Sequence, residues 1–157
     1  MKKVLLLEPP VTLPQGAVNQ QRMPVVPPLG IGYVAAVLER LGYEVQIIDC
    51  LVEGFAAPVD QGGGMLRYGL TDQQIQSRIR QFSPDIVGVS CVLTNKYKDA
   101  HHLCQLAKAV DPSVVTVMGG AHPTTFPALV MEDEAVDFAV LGEGQHRPAV
   151  DLALAGD

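Results

Sequence analysis

Four short stretches carry side chains that could bind a ligand, and each lies beside an apolar segment. They are Pro28-Leu29-Gly30, the segment from Ser90 through Val92 and Thr94 to Asn95, Gly119-Gly120-Ala121-His122, and Gly142-Glu143-Gly144. Hydroxyl and amide side chains beside a helix N-terminus suit a phosphate or a ribose. Glycines leave the backbone bare where a flat or bulky ligand approaches closely. The pattern indicates a site for a nucleotide-like or flat cofactor.

Each stretch could also have a purely structural role, and a structural role does not exclude ligand binding by the same residues. Gly30 could belong to a tight junction between a loop and a helix. Thr94 could cap the helix that follows it. The Gly142-Glu143-Gly144 stretch could be only a turn, although a carboxylate between glycines also suits a hydrogen-bond acceptor or a contact to a neighbouring domain.

The histidines and cysteines form no catalytic or metal-binding pattern, and we assign no metal ligand. His122 lies on the expected binding edge, where it could contact the cofactor or a partner domain or be structural. His101 and His102 are adjacent on a helix, so they do not share a face, and we expect both to be solvated. The cysteines are too widely spaced for a zinc or iron–sulfur motif and indicate a reduced, cytoplasmic protein. They are Cys50, Cys91 and Cys104.

Five β-α units in succession must position these stretches. Continuous apolar runs are typical of strands buried on both faces of a parallel sheet. The runs are Val4–Leu7, Val45–Ile48, Ile86–Val89, Val114–Met118 and Phe138–Leu141. Strands that alternate with helices predict an α/β, Rossmann-like (flavodoxin-like) fold with a five-stranded parallel sheet, helices on both faces, and a strand order of 2-1-3-4-5.

The segments between the runs have helical spacing and recognisable ends. Gly42 is a stop signal for the first helix. Thr71 and Gln74 form a possible capping box, and that helix should end before Pro84. Further helices are expected through Ala100–Ala107, from near Pro127 and from near Pro148.

Two loops depart from the short connections usual in such folds. The loop after strand one runs roughly from Pro9 to Pro28, a length that is usually functional or partly disordered. The loop after strand two contains Gly62-Gly63-Gly64, which matches neither a P-loop nor a GxGxxG motif, and we interpret it as a flexible insertion.

Size and charge narrow the function classes. A chain of 157 residues is expected to be one domain, 1–157. Eleven basic and 17 acidic residues give a formal charge of −6, which argues against nucleic acid or an anionic membrane surface as a partner. No apolar run approaches the ~20 residues of a transmembrane helix.

The four stretches, in their order, resemble the cobalamin-binding domain of radical S-adenosylmethionine proteins. The resemblance runs from Pro27-Pro28-Leu29-Gly30, through Pro84 to Ser90 and Gly119 to Thr124, to Asp137–Gly144, nearly the whole chain. That family includes anaerobic magnesium-protoporphyrin IX monomethyl ester oxidative cyclases and cobalamin-dependent methyltransferases. A radical domain with a [4Fe-4S] cluster and S-adenosylmethionine would follow, absent from this chain. We therefore expect a fragment that binds cobalamin and is not catalytic alone.

The resemblance also implies roles for the candidate residues. Ser90, Val92 and Thr94 would line a slot for the displaced nucleotide tail of the cofactor. Gly119 and Gly120 would pack beside this tail, and Gly142, Glu143 and Gly144 would close its far end. The candidate set of cofactor-binding residues is completed by Val26, Pro28, Leu29, Gly30, Asn95 and His122.

The loop before the first helix departs from the better-known D-x-H-x-x-G pattern, whose histidine ligates cobalt from below. With the shared glycine on Gly30, Val25 stands at the aspartate position and Pro27 at the histidine position. We therefore expect no lower axial histidine from this loop, and an apolar lower face from Val26 and Leu29.

Two other classes of function remain open on sequence alone. The chain could be the N-terminal half of a nucleotide-sugar glycosyltransferase, which also has a glycine-rich first loop. It could also be a flavodoxin-like module that holds FMN or serves only as an interaction domain, although its first loop lacks the Ser/Thr-rich character of an FMN phosphate loop.

Overall fold

The computed structural model describes residues 1–17 and 27–144, and the predicted helix near Pro148 lies outside them. The strands are β1 Lys3–Glu8, β2 Val11–Pro14, β3 Glu44–Asp49, β4 Val59–Gly62, β5 Met65–Tyr68, β6 Ile86–Ser90, β7 Val115–Gly119 and β8 Phe138–Ala139. The helices are α1 Leu29–Arg40, α2 Cys50–Gly54, α3 Asp72–Phe82, α4 Tyr97–Val110, α5 Ala121–Thr125 and α6 Pro127–Val130, with a 3₁₀ helix at Thr94–Lys96.

The main sheet has five parallel strands in the order β3-β1-β6-β7-β8. Numbered by the five predicted strands, this order is 2-1-3-4-5, so the expected topology is confirmed. The last strand is shorter than expected, since only Phe138 and Ala139 pair with β7. Successive strands are added to the left of β1 and then to its right, so the strand order reverses between β1 and β6, and α/β folds of this kind bind ligands at that point.

Two apolar clusters cover the two faces of the sheet. In β1, Leu5 and Leu7 belong to the cluster that contains α3 and α4, whereas Val4 and Leu6 belong to the cluster beneath α1. Alternate residues of one strand thus enter different cores, because successive side chains point to opposite faces. This double burial explains the continuous apolar runs in the sequence.

The local signals for helix ends are confirmed. The side chain of Thr71 accepts a hydrogen bond from the Gln74 amide at 3.3 Å, and Gln74 Oε1 accepts one from the Thr71 amide at 2.9 Å. Gly42 follows α1 with a φ of +88°, a conformation that glycine adopts at little cost. No helix within 1–17 and 27–144 is long and apolar enough to cross a membrane.

The two long loops form a second, antiparallel sheet in the order β2-β5-β4. Gly62, Gly63 and Gly64 all have positive φ and make the turn between β4 and β5. The interpretation of this segment as a flexible insertion is therefore wrong. Its hairpin pairs with β2, and Thr12 Oγ1 donates to Asp99 of α4 at 2.9 Å, which ties the small sheet to the main domain.

Candidate functional site

The carboxyl ends of β1, β6 and β7 bring the predicted stretches to one edge of the sheet. Glu8 ends β1, Ser90 ends β6 and Gly119 ends β7. The N-terminus of α1 reaches the same edge and brings Leu29 and Gly30 there. Most of the residues that the sequence predicted to bind a ligand surround two adjoining cavities.

The inner cavity has a volume of about 220 Å³ and lies between α1 and the sheet. Its deep walls are aliphatic, with Val4 and Leu6 from the sheet and Val34 and Leu38 from α1. Eight of the predicted residues also line it, and they are Gly30, Ser90, Val92, Gly119, Gly120, Gly142, Glu143 and Gly144. This shape suits an elongated ligand segment with an apolar, flat end.

The outer cavity, of about 370 Å³, lies at the point where the strand order reverses, beside the ends of β1 and β6. It is bounded by the ends of β1, β3 and β6, the start of α1, and α2. Pro28 and Leu29 line it, and it shares Gly30, Ser90 and Val92 with the inner cavity. Leu29 and Val92 are 65% and 55% exposed, so the outer cavity presents apolar surface that a ligand could cover.

Three of the cavity glycines leave room for a ligand. A Cβ atom on Gly30 or Gly142 would have no heavy atom within 4 Å, and one on Gly119 would meet only Val140 Cβ at 3.9 Å. Protein packing alone therefore gives no steric reason for glycine at Gly30 and Gly119. The space is large enough for another group to lie against the backbone, so the residues present fit a bulky cofactor.

Gly120 is a glycine for a different reason. Its φ is +115°, and a Cβ atom there would lie 2.6 Å from the carbonyl oxygen of Cys91. This close approach lets the His122 amide donate to the same Cys91 carbonyl at 3.0 Å. The backbone itself thus requires glycine at this position.

His122 lines neither cavity, which corrects the expectation that its side chain is offered at the binding edge. The residue is 1% exposed, and its ring lies between those of Tyr97 and Phe126, at 5.6 and 5.5 Å between centroids. Burial, with a contribution from His101, lowers the pKa of His122. His122 reaches the carboxyl edge of the sheet only through Thr94, whose Oγ1 lies 3.4 Å from His122 Nδ1.

Thr94 and Asn95 are exposed on the 3₁₀ helix and do not line the cavities, although their neighbours Leu93 and Lys96 line the outer one. The predicted capping role of Thr94 is wrong, because its side chain makes no cap and α4 starts only at Tyr97. Val26 lies outside the described residues.

His101 and His102 are both paired, so the expectation that they are solvated is wrong. His101 Nδ1 lies 2.7 Å from Asp133, and His102 Nε2 lies 2.8 Å from Asp72. Burial alone would raise the pKa of Asp72, but hydrogen bonds from His102 and Arg67 outweigh it, so the pKa is lowered. These pairs connect α4 to other elements and lie outside the cavity linings.

Sequence reasoning missed one charged pair in the site. Lys96 Nζ donates to Glu8 Oε1 at 3.1 Å, and both side chains line the outer cavity. The sequence held one signal for this pair: Glu8 directly follows the apolar run Val4–Leu7, which places it at the carboxyl end of the first strand. Among the described residues, no group of three or more His, Cys, Asp or Glu side chains could hold a metal ion.

Comparison with known proteins adds a family and several relatives. The model of the B12 binding domain family matches residues 17–150. A cytidylyl-2-hydroxyethylphosphonate methyltransferase of Streptomyces wedmorensis is 44% identical over 146 residues, which cover 92% of this chain and 27% of that protein. An anaerobic magnesium-protoporphyrin IX monomethyl ester cyclase of Rubrivivax gelatinosus is 32% identical, over 76% of this chain and 19% of that protein.

A further curated protein and a solved structure are also similar to this chain. An uncharacterized methyltransferase of Pyrococcus horikoshii is 34% identical over 91% of this chain and 27% of its own length. The chain thus spans about a quarter or less of these curated relatives. A cobalamin-binding protein from Desulfitobacterium hafniense has the same fold, with a TM-score of 0.61 and 15% identity over 96% of this chain and 58% of that one.

Proposed function

The chain belongs to the B12 binding domain family, and from this premise we propose where cobalamin binds and how. The nucleotide tail enters the inner cavity, and the corrin ring lies across the outer cavity against Pro28 and Leu29. The observation that carries this arrangement is the open space beside Gly30, Gly119 and Gly142, which leads into an aliphatic slot. A ligand with both a tail and a ring matches two cavities that share Gly30, Ser90 and Val92.

The candidate residues divide between the two parts of the cofactor. Ser90, Val92, Gly119 and Gly120 line the passage taken by the tail, and the segment from Gly142 through Glu143 to Gly144 closes its far end. Thr94 and Asn95 border the mouth, and His122 acts only through Thr94. When bound, cobalamin supplies organometallic group-transfer or radical chemistry, and this chain contributes its placement.

The lower face of the cofactor receives no histidine from the loop before α1. Proline has no nitrogen lone pair to offer cobalt, and Pro27 stands where the histidine of the D-x-H-x-x-G pattern would be. Leu29, which lines the outer cavity, would give the corrin ring an apolar contact there. A buried imidazole such as that of His122 lies outside both cavities and cannot replace the missing ligand without leaving its aromatic stack.

The parent protein is a longer radical S-adenosylmethionine enzyme whose separate domain holds the [4Fe-4S] cluster and S-adenosylmethionine. Methyl transfer is the favoured reaction, because the two relatives with the higher identity and coverage are methyltransferases by name. Oxidative cyclisation of a magnesium-protoporphyrin ester is the second candidate, since the cyclase matches over a shorter part of the chain. Three buried free cysteines favour a reducing, cytoplasmic location.

A visible spectrum of the purified chain tests the binding mode. After incubation with hydroxocobalamin, with and without reductant, and desalting, we expect retained cobalamin with a base-off spectrum. Separate replacement of His101, His102, His122 and His146 by alanine should leave the spectrum of retained cofactor unchanged. If one histidine variant remains folded but no longer retains cobalamin, that histidine is a ligand and the proposed binding mode is wrong. Thermal-shift measurements with FMN and UDP-sugars in parallel would detect the two other classes of ligand.

A further inference from the structure

The Glu8–Lys96 pair is enclosed to an unusual degree for a lysine ion pair. The two side chains are 15% and 14% exposed, with 3.1 Å between Nζ and Oε1. The other lysine–carboxylate pairs among residues 1–17 and 27–144 are more exposed, with Lys3–Glu44 at 37% and 43% and Lys108–Asp137 at 24% and 31%. Enclosing such a pair costs desolvation energy that its attraction often does not recover, so stability alone is a weak reason for it.

The residues around the pair in the outer cavity are mostly apolar, with Ser90 and Asp49 as the polar exceptions. Around the pair, the outer cavity is lined by Leu29, Val92, Leu93 and Phe55. The other carboxylate in the lining, that of Asp49, is already engaged, because its Oδ1 accepts the Val52 amide at 3.0 Å and caps α2. The hydrogen-bonding capacity of Glu8 and Lys96 is therefore available to a ligand, since each has more donors or acceptors than one contact uses.

An ammonium group beside a carboxylate complements a primary carboxamide. The carboxamide oxygen accepts from Lys96 Nζ while its N–H donates to Glu8, so one side chain of the ligand meets both charges. Corrin rings of the cobalamin type carry primary carboxamides around their periphery. We propose that Glu8 and Lys96 bind a carboxamide arm of the corrin ring and fix the ring over the outer cavity. This inference rests on the proposed function and deepens it.

The test separates the ring from the tail. Dicyanocobinamide has the corrin ring and its carboxamides but lacks the nucleotide tail, so its affinity reports on the outer cavity. We expect Lys96→Met and Glu8→Gln each to raise the Kd for both dicyanocobinamide and hydroxocobalamin at least about tenfold, as is usual for charge-assisted hydrogen bonds. Lys96→Arg, which keeps a charged donor, should recover part of the affinity.

A corrin with methyl esters in place of the carboxamides distinguishes recognition from simple support of the cavity. An ester accepts a hydrogen bond but cannot donate one to Glu8. The wild-type chain should prefer the carboxamide ring, and Glu8→Gln should reduce this preference. If both rings lose affinity equally, the pair only maintains the shape of the cavity and the inference is wrong.

The controls are Lys3, at the opposite end of β1 from Glu8, and its partner Glu44, at the start of β3. Lys3→Met and Glu44→Gln remove charges of the same kinds from residues that line neither cavity, and they should leave both Kd values unchanged. Circular dichroism and thermal midpoints identify any variant that fails to fold, in which case Lys96→Arg and the Glu8→Gln/Lys96→Gln double variant replace it. Unchanged cobinamide affinity in the folded variants overturns the inference, whereas a wild-type chain that binds neither corrin overturns the proposed function itself.

Discussion

Glycines at the carboxyl edge of the sheet differ in what makes each of them necessary. Gly120 adopts a φ of +115° against the Cys91 carbonyl, so its backbone excludes a side chain. Gly119, one residue earlier, has room for a side-chain carbon, since a Cβ atom there would meet only Val140 Cβ, at 3.9 Å. The Gly119-Gly120 motif therefore combines one residue that the fold requires with one that protein packing does not require to be glycine, and we propose that the second leaves room for the ligand.

Substitutions at these two glycines should separate stability from binding. Gly119→Val should change the free energy of unfolding by less than about 1 kcal/mol, because β-branched residues suit a strand. The same variant should raise the Kd for hydroxocobalamin at least about tenfold by filling the slot. Urea unfolding and absorbance titration measure the two quantities. Cobinamide affinity, which does not depend on the tail, should remain close to wild type.

Gly120→Ala should show the reverse pattern. We expect a loss of at least about 2 kcal/mol in unfolding free energy, from positive-φ strain together with the clash at Cys91. Folded Gly120→Ala protein should still bind cobalamin more tightly than Gly119→Val does. A stable Gly120→Ala variant would show that the turn does not require glycine.

At the scale of elements, the loops contribute more structure than their composition indicates. The hairpin β4–β5 pairs with β2, and Gly54 of α2 packs against the Gly69 backbone so closely that a Cβ would lie 2.0 Å from the Gly69 carbonyl carbon. The small sheet thereby supports α2. Leu51 and Val52 of this helix, and Phe55 directly after it, line the outer cavity. The long loops thus help to build one wall of the site.

Asp137 joins three elements just before the last strand. Its Oδ2 accepts from Lys108 Nζ of α4 at 2.6 Å and from the Thr116 amide of β7 at 2.7 Å. Burial alone would raise the pKa of this carboxyl, but these hydrogen bonds outweigh it, and the pKa is lowered. A lowered pKa means that the ionised group stabilises the fold above its unfolded pKa of about 4, and that this contribution is lost as the pH falls through the folded pKa.

Replacing Asp137 should therefore weaken the chain at neutral pH and flatten its acid response. Asp137→Asn should lower the unfolding free energy at ~pH 7 by about 1–3 kcal/mol. Between roughly pH 5 and pH 2, stability should decline less steeply than in wild type. Urea unfolding across this range measures both effects. Glu134→Gln, at an exposed position in the same connection, should match wild type, and an unchanged acid slope in Asp137→Asn would contradict the assignment.

Across the whole molecule, both faces of the main sheet are packed, and the three cysteines lie inside this packing. Burial, with nearby carboxylates, raises the pKa of Cys50 and of Cys104 to about 12, and burial with Glu8 raises that of Cys91 to about 11. Thiols with such pKa values carry almost no thiolate at neutral pH, and the thiolate is the reactive form.

Thiol labelling should therefore report global opening. In native protein at ~pH 8, 5,5′-dithiobis(2-nitrobenzoic acid) should label none of the three cysteines on the timescale of minutes. In concentrated guanidinium chloride it should label all of them at once. Saturating cobalamin should slow native-state labelling further, because a ligand that binds only the folded form stabilises it. Rapid labelling of one cysteine in the native chain would show local opening near that residue.

Much of the fold follows from local patterns, since strands buried on both faces must be continuously apolar and helix ends need capping groups. The five parallel strands, the capping box at Thr71 and the stop at Gly42 were therefore predictable, whereas the strand order 2-1-3-4-5 was expected from the fold class and not from a local pattern. The cofactor class was also recognisable, because the stretches that contain Gly30, Gly119 and Gly142 follow one another in the order that resembles cobalamin-binding domains. The antiparallel pairing of the long loops left no such signal, because glycine-rich turns suit flexible and hairpin structures alike.

Only the tertiary structure decided which side chains face the site. Sequence position placed His122 at the binding edge, but packing between Tyr97 and Phe126 buries its ring away from the cavities. Glu8 and Lys96 are 88 residues apart, and no local pattern could pair them. Side-chain direction and long-range contacts depend on how the helices pack on the sheet, so the sequence determined the edge and its glycines, whereas the fold determined the polar contacts.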